Sequence, residues 1–166
     1  MKEKKNLWCF SHNDFDNECL THGWSDSNVP PDIAFISITG TVECQKYYLE
    51  ETEEHYFKLP HPNVLNLEFD DLPKEKLKWN GHTFLGITKE QALQTKKFIE
   101  QNLGKDFWIH CRAGASRSQG VVRFILDIYG DLYDWETRRD NPCITPNIYV
   151  LSMLKRTIYE DIYTLD

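Results

Sequence analysis

The sequence predicts an α/β fold in one domain spanning residues 1–166. Three observations predict it. Short apolar runs alternate with stretches of helical pattern, separated by turn residues. A hydrophobic fraction of 40% and a charged fraction of 27% are ordinary for a soluble globular chain long enough to bury a sizeable core. Finally, Cys111-Arg112-Ala113-Gly114-Ala115-Ser116-Arg117 sits between the apolar run Phe107-Trp108-Ile109-His110 and a helical pattern, a strand, tight turn and helix start in direct succession.

The elements follow in order. Leu7-Trp8-Cys9-Phe10 reads as a first strand and Ile33-Ala34-Phe35-Ile36-Ser37-Ile38 as a second, ended by Thr39-Gly40. Residues 41–56 read as a partly exposed helix or helical loop whose Glu50, Glu51, Glu53 and Glu54 form a solvated face. Apolar and polar residues alternate from Asn63 to Phe69, a half-buried strand that runs into the loop Asp70-Asp71-Leu72-Pro73. Residues 74–87 read as irregular, with Lys74, Lys76 and Lys78 solvated around Trp79. Thr88-Lys89-Glu90-Gln91 is a capping box opening a helix of about four turns that ends near Leu103-Gly104. A core strand over residues 107–109 comes next, then a strongly apolar, deeply placed helix over residues 119–129, ended by Gly130. Asp131 is read as the cap of a short amphipathic helix reaching Arg138. Asn141-Pro142 breaks the chain, and Thr145-Pro146-Asn147 starts a last helix with the stripe Ile148, Leu151 and Leu154.

Charge and cysteine usage exclude some classes of function. A net charge of −7 argues against general nucleic-acid binding, so an anion site must be a local positive concavity. No run approaches the roughly 20 apolar residues of a membrane span, and no export signal is expected. Cys9, Cys19, Cys44, Cys111 and Cys143 lack paired metal-ligand spacing, so reduced thiols in a cytoplasmic protein are expected, with no metal and no cofactor.

The Cys-x5-Arg loop carries the chemistry. Backbone N–H groups of such a turn converge on one point, and the helix dipole adds positive charge there. A thiol at a helix start beside an arginine ionises more readily, and a thiolate attacks phosphorus without a general base. Arg117 supplies a planar fork for two phosphate oxygens, while Arg112, Ala113, Gly114, Ala115 and Ser116 form the rest of the phosphate-binding loop, small side chains letting the amides approach. His110 points to the opposite strand face from Cys111, so it is read as a buried scaffold residue rather than a base. Ser118 either caps the helix or stabilises the cysteine thiolate as it leaves. A carboxylic acid must protonate the leaving group. Asp70 and Asp71 follow a strand and reach the right sheet edge if the strands are parallel, and alternation favours Asp71.

The stretch Ile109-His110-Cys111-Arg112-Ala113-Gly114-Ala115-Ser116-Arg117-Ser118 resembles the signature of the cysteine-dependent protein tyrosine phosphatases, and its ending is most similar to the small dual-specificity branch. Leu67-Glu68-Phe69-Asp70-Asp71 resembles that family's strand and acid loop, and Asn141-Pro142 with Pro146-Asn147 its approach to the last helix. The resemblance implies a four- to five-stranded, mostly parallel sheet flanked by helices, a two-step mechanism without metal, and a monomer acting on a phosphorylated protein or peptide. It assigns Cys111 as nucleophile, Arg117 as clamp, Ser118 as thiolate helper and Asp70 or Asp71 as acid. Residues 74–87 depart from the pattern as an insertion. Two other readings compete: a rhodanese-like sulfurtransferase, and a non-catalytic phosphoprotein-binding module that keeps the cradle without the chemistry.

Overall fold

The computed structural model describes residues 1–47 and 53–163. Five strands form one parallel sheet: β1 (Lys4–Phe10), β2 (Ile33–Thr39), β3 (Val64–Glu68), β6 (Asp106–His110) and β7 (Asp134–Arg139), in the order β3-β2-β6-β1-β7. All run the same way, so their C-terminal ends share one edge. Cys111 leaves that edge from the middle strand, Asp70 and Asp71 lie just beyond the end of β3, and helices α1 (His12–Thr21) and α2 (Val42–Tyr47) start there after β1 and β2.

Strand alternation divides the core in two. Leu7, Cys9, Ala34, Ile36, Phe107 and Ile109 face α3 (Lys89–Gln101), α4 (Arg117–Tyr129) and α5 (Ile148–Tyr163). Phe10, Phe35 and Trp108 face the other way, where they meet Phe15 and Cys19 of α1 together with Phe57. Trp108 is the hub of that aromatic layer, its ring centroid 5.0 Å from both Phe10 and Trp24. Each such side chain contributes about 1.5–3 kcal/mol through burial.

The chain adopts the expected α/β class with a four- to five-stranded, mostly parallel sheet flanked by helices: the central sheet has five strands, all parallel. The capping box is present, with Thr88 accepting from Gln91 N and Gln91 reaching back to Thr88 N. Several local expectations fail, each for a visible reason. Residues 74–87 are not irregular: they hold the antiparallel hairpin of β4 (Lys76–Trp79) and β5 (His82–Leu85). Asn80 and Gly81 both have positive φ, 50° and 77°, as a tight hairpin turn of this length requires. The stretch from Asp131 to Arg138 forms no helix. Its strand β7 pairs with β1 at the sheet edge, where Trp135 packs on Phe107 and polar neighbours stay solvated. The sequence pattern predicts no element over residues 12–21, where helix α1 forms, capped by Ser11 accepting from Asp14 N. Helix α2 is described over Val42–Tyr47, residues 53–56 are not helical, and Glu50 and Glu51 lie outside the described residues. In α5 Ile148 is exposed, and the buried stripe is Val150, Leu154 and Thr157. Its register is set by Asn147, whose side chain accepts from Val150 N.

Candidate active site

The loop after β6 is defined by where its carbonyls go. His12 N donates to Arg112 O (3.0 Å), Asn141 Nδ2 to Ala113 O (2.9 Å) and Gln119 Nε2 to Gly114 O (3.3 Å). Thr145 N donates to Ala115 O (2.8 Å), and both Gly120 N and Asn147 N donate to Ser116 O (3.0 Å each). His110 Nδ1 donates to Cys111 O at 3.2 Å. Every carbonyl from Cys111 to Ser116 is thus drawn outward by a donor. A planar trans peptide sets the next N–H opposite its C=O, so the N–H groups of residues 112–117 turn inward, toward the cavity. Gly114 makes this turn possible with φ of 70°, and a Cβ there would lie 2.7 Å from the Phe10 carbonyl carbon and oxygen. Its small size lets the loop pack against the end of β1.

A cavity of about 390 Å³ opens over this loop, lined by Cys111, Arg112, Ala113, Ser116, Arg117 and Asp71 among others. Cys111 lies at its base, 2% exposed, with its Sγ 3.0 Å from the Ser118 hydroxyl. Ser118 is the second residue of α4 and not its cap. The hydroxyl is itself held by Cys9, whose thiol donates to Ser118 Oγ at 3.1 Å. Burial pushes the Cys9 thiol up to about 12, with the Ser118 contact opposing, so Cys9 keeps its proton. The Cys9 thiol also lies 3.5 Å from Gly114 O, and with its proton on the nearer Ser118 oxygen the Ser118 proton is directed at Cys111. Sequence reasoning treated Cys9 only as a strand residue; its alternation with Leu7 on the face toward α4 was the available signal. Arg117, 7% exposed, donates from Nη1 to Phe69 O at 2.8 Å, which pins the guanidinium between the loop and the exit of β3.

The two aspartates divide sharply. Asp70 is 3% exposed and accepts from Thr41 N (2.8 Å) and Thr41 Oγ1 (2.8 Å to Oδ2), and from Leu85 N (2.8 Å). Its own N–H donates to Leu85 O at 2.6 Å. It therefore staples the approach to α2 and the end of β5 to the exit of β3. Asp71 is exposed and accepts from Ser116 Oγ and Asn147 Nδ2, each at 2.7 Å and each on Oδ1. These bonds tie the carboxyl to the lip of the loop and leave Oδ2 for a proton.

His110 is fully buried, its ring turned to the aromatic layer. Because the Cys111 carbonyl can only accept, Nδ1 carries the proton and Nε2 accepts from Ser37 Oγ at 2.6 Å. Ser37 Oγ in turn accepts from His55 Nδ1 at 2.7 Å. His55 Nε2 lies 3.1 Å from Glu68 Oε1, a contact that is attractive only when the His55 ring carries both protons. Burial lowers the His55 pKa, while Glu68 opposes the shift. Among the described residues no group of three or more His, Cys, Asp or Glu could hold a metal, and no helix is long and apolar enough to cross a membrane.

No protein-family model matches the chain, and no curated protein does. Among solved structures it is similar to the human tyrosine phosphatase-like serine/threonine/tyrosine-interacting protein, at 20% identity over 80% of this chain and 79% of that one, with a TM-score of 0.41. A likeness of that size is distant and assigns no residue a role.

Two predictions follow from the geometry. Asp70→Ala removes the buried carboxylate that accepts from the N–H groups of Thr41 and Leu85 and is expected to cost about 2 kcal/mol in urea denaturation, whereas Asp71→Ala on the exposed lip costs far less. Equal losses would remove the stapling role of Asp70. The second concerns pH. Burial lowers the His110 pKa from 6.5 to about 3. Between those values the unfolded chain binds a proton that the folded chain refuses. Stability is therefore complete above the upper value and falls as pH drops toward the lower, by up to about 1.4 kcal/mol per pH unit. Urea midpoints measured from about pH 7.5 to about pH 5 should fall, and less steeply for His110→Gln. Identical slopes for both proteins would refute the assignment.

Proposed function

We propose that the protein is a phosphatase that hydrolyses phosphate monoesters through a cysteinyl-phosphate intermediate. Phosphotyrosine on a protein or peptide is the foremost substrate, with phosphoserine and phosphothreonine second. The observation that carries this reading is the outward anchoring of the carbonyls from Cys111 to Ser116, which turns the intervening N–H groups onto one point beside a thiol and a guanidinium. Donors fixed before the reaction stabilise developing oxyanion charge without reorganising.

In the first step the Cys111 thiolate attacks phosphorus, the ester P–O bond breaks, and the departing oxygen takes the proton from Asp71 Oδ2. Arg117 and the inward N–H groups hold the three equatorial oxygens. In the second step Asp71, now ionised, takes a proton from water as the water oxygen attacks phosphorus. The P–S bond breaks, inorganic phosphate forms, and the thiolate departs into the hydrogen bond from Ser118. Asp70 is unsuited to either proton transfer because it is buried and both of its oxygens already accept hydrogen bonds from Thr41 and Leu85. Arg112 belongs to the cradle through its backbone and lines the cavity.

Purified protein is expected to hydrolyse an aryl phosphate. Cys111→Ser should reduce turnover at least about a thousandfold while still binding inorganic phosphate. A serine variant with retained turnover would refute the cysteinyl-phosphate step. Wild-type binding of phosphopeptides without any turnover would instead support a binding module. Asp71→Ala should slow hydrolysis of alkyl phosphates by roughly 10²–10⁴ and of an ester with a good leaving group far less. A uniform effect across leaving groups would displace Asp71 as the acid.

A further inference from the structure

We infer that the β4–β5 hairpin is the recognition element for the leaving group, and that with Tyr47 it selects a flat aromatic ring. This rests on reading the Cys111 loop as the phosphoester site. Strand alternation puts Leu77 and Trp79 of β4 on the cavity side, with Phe84 of β5 opposite Leu77, and all three line the cavity with Tyr47. Lys76 and Lys78 occupy the alternate positions of β4 and do not line it, so the hairpin presents an apolar face and not a basic one.

The hairpin is fastened as a wall rather than packed as a core. Leu85 exchanges two hydrogen bonds with Asp70, and Gly86 N closes the base onto Glu75 O at 2.9 Å. Facing the helix, His82 Nδ1 lies 2.7 Å from Glu43 Oε1, and Trp79 Nε1 donates to Tyr47 Oη at 3.2 Å. The Tyr47 ring meets His82 and Phe84 edge-on, at centroid separations of 4.9 and 5.4 Å. Helix α2 and the hairpin thus form one continuous aromatic surface. Its outermost member, Trp79, is 58% exposed, a large apolar side chain at the mouth of an anion site.

The occupant follows from that arrangement. A phosphate seated in the loop directs its ester oxygen away from the buried Cys111 thiol, and the atoms beyond that oxygen meet Tyr47, Leu77, Trp79 and Phe84. An aryl ring buries apolar area there and finds aromatic partners in offset or edge-on geometry. A serine or threonine phosphoester brings the polar peptide backbone against the same surface, and its N–H and C=O groups lose water without gaining a partner. Selection for an aromatic leaving group is therefore built from the segment between the acid loop and α3.

The test compares one peptide carrying phosphotyrosine with the same peptide carrying phosphoserine. Trp79→Ala should narrow the ratio of their kcat/KM values about tenfold, through KM for the phosphotyrosine peptide, and Trp79→Phe should restore most of it. Lys78→Ala, on the other face of the same strand, should leave the ratio unchanged. A parallel titration in the Cys111→Ser background reads binding without turnover, with both peptides and inorganic phosphate as probes. Preferential loss of phosphotyrosine-peptide binding on Trp79→Ala supports the inference even if the wild type turns over nothing, an outcome that would refute only the phosphatase reading. A ratio unmoved by Trp79→Ala, or equal weakening of both peptides, overturns it whether or not the protein is an enzyme.

Discussion

Six consecutive peptide carbonyls, Cys111 to Ser116, are pulled away from the cavity by donors drawn from five separate stretches of chain: β6, the start of α1, residue 141, the 145–147 turn, and residues 119 and 120 of α4. On this constraint the site depends. No single hydrogen bond among them contributes more than about 0.5–1.5 kcal/mol net. Together they favour this one course for the loop, because a carbonyl turned inward would give up its donor, and for His110, Gln119 and Gly120 that donor is buried. The inward N–H groups are the other side of the same planar peptides. A concavity lined by peptide N–H groups is thereby built into an acidic protein without a cluster of basic side chains.

The neighbouring groups are each occupied in a way that limits what they can do. Cys9 keeps its proton and donates it to Ser118, which leaves Ser118 one proton to offer, and Cys111 is the acceptor within reach. Asp70 is consumed by Thr41 and Leu85, so the acidic pair that looks redundant in sequence is a brace and an available carboxyl side by side. His110 is locked in one tautomer by a carbonyl on one side and a serine hydroxyl on the other. Removal of either contact would leave a fully buried ring nitrogen without a partner. The brace also ties the hairpin and the approach to α2 to the carboxyl next to Asp71.

Much of this was legible in the residues. Cys111, Arg117 and Ser118 could be read from spacing because six residues of loop and helix start are local, and local sterics dictate their relative positions. The outward face of His110 followed from strand periodicity. The hairpin was also legible in Asn80-Gly81 between alternating Leu77, Trp79 and Phe84, and was overlooked because the lysines gave the segment a solvated appearance. The strand Asp134–Arg139 was harder, since an edge strand needs only one partly buried residue, Trp135, and its remaining pattern fits a helix as well.

By itself, the sequence determined the strand–loop–helix at Cys111, the parallel α/β class and the presence of an acid loop after β3. These rest on periodicity, turn chemistry and short-range geometry, which act within a few residues. Only the tertiary structure decided that Asp70 is buried and Asp71 exposed, that Cys9 holds the Ser118 hydroxyl, and that Trp79 faces the cavity rather than solvent alone. Each of those depends on which distant segment supplies the hydrogen-bond partner or the packing surface. The partners are 15 to 109 residues away in sequence, as in Asp70 with Leu85 and Cys9 with Ser118, and no local rule of spacing reaches that far.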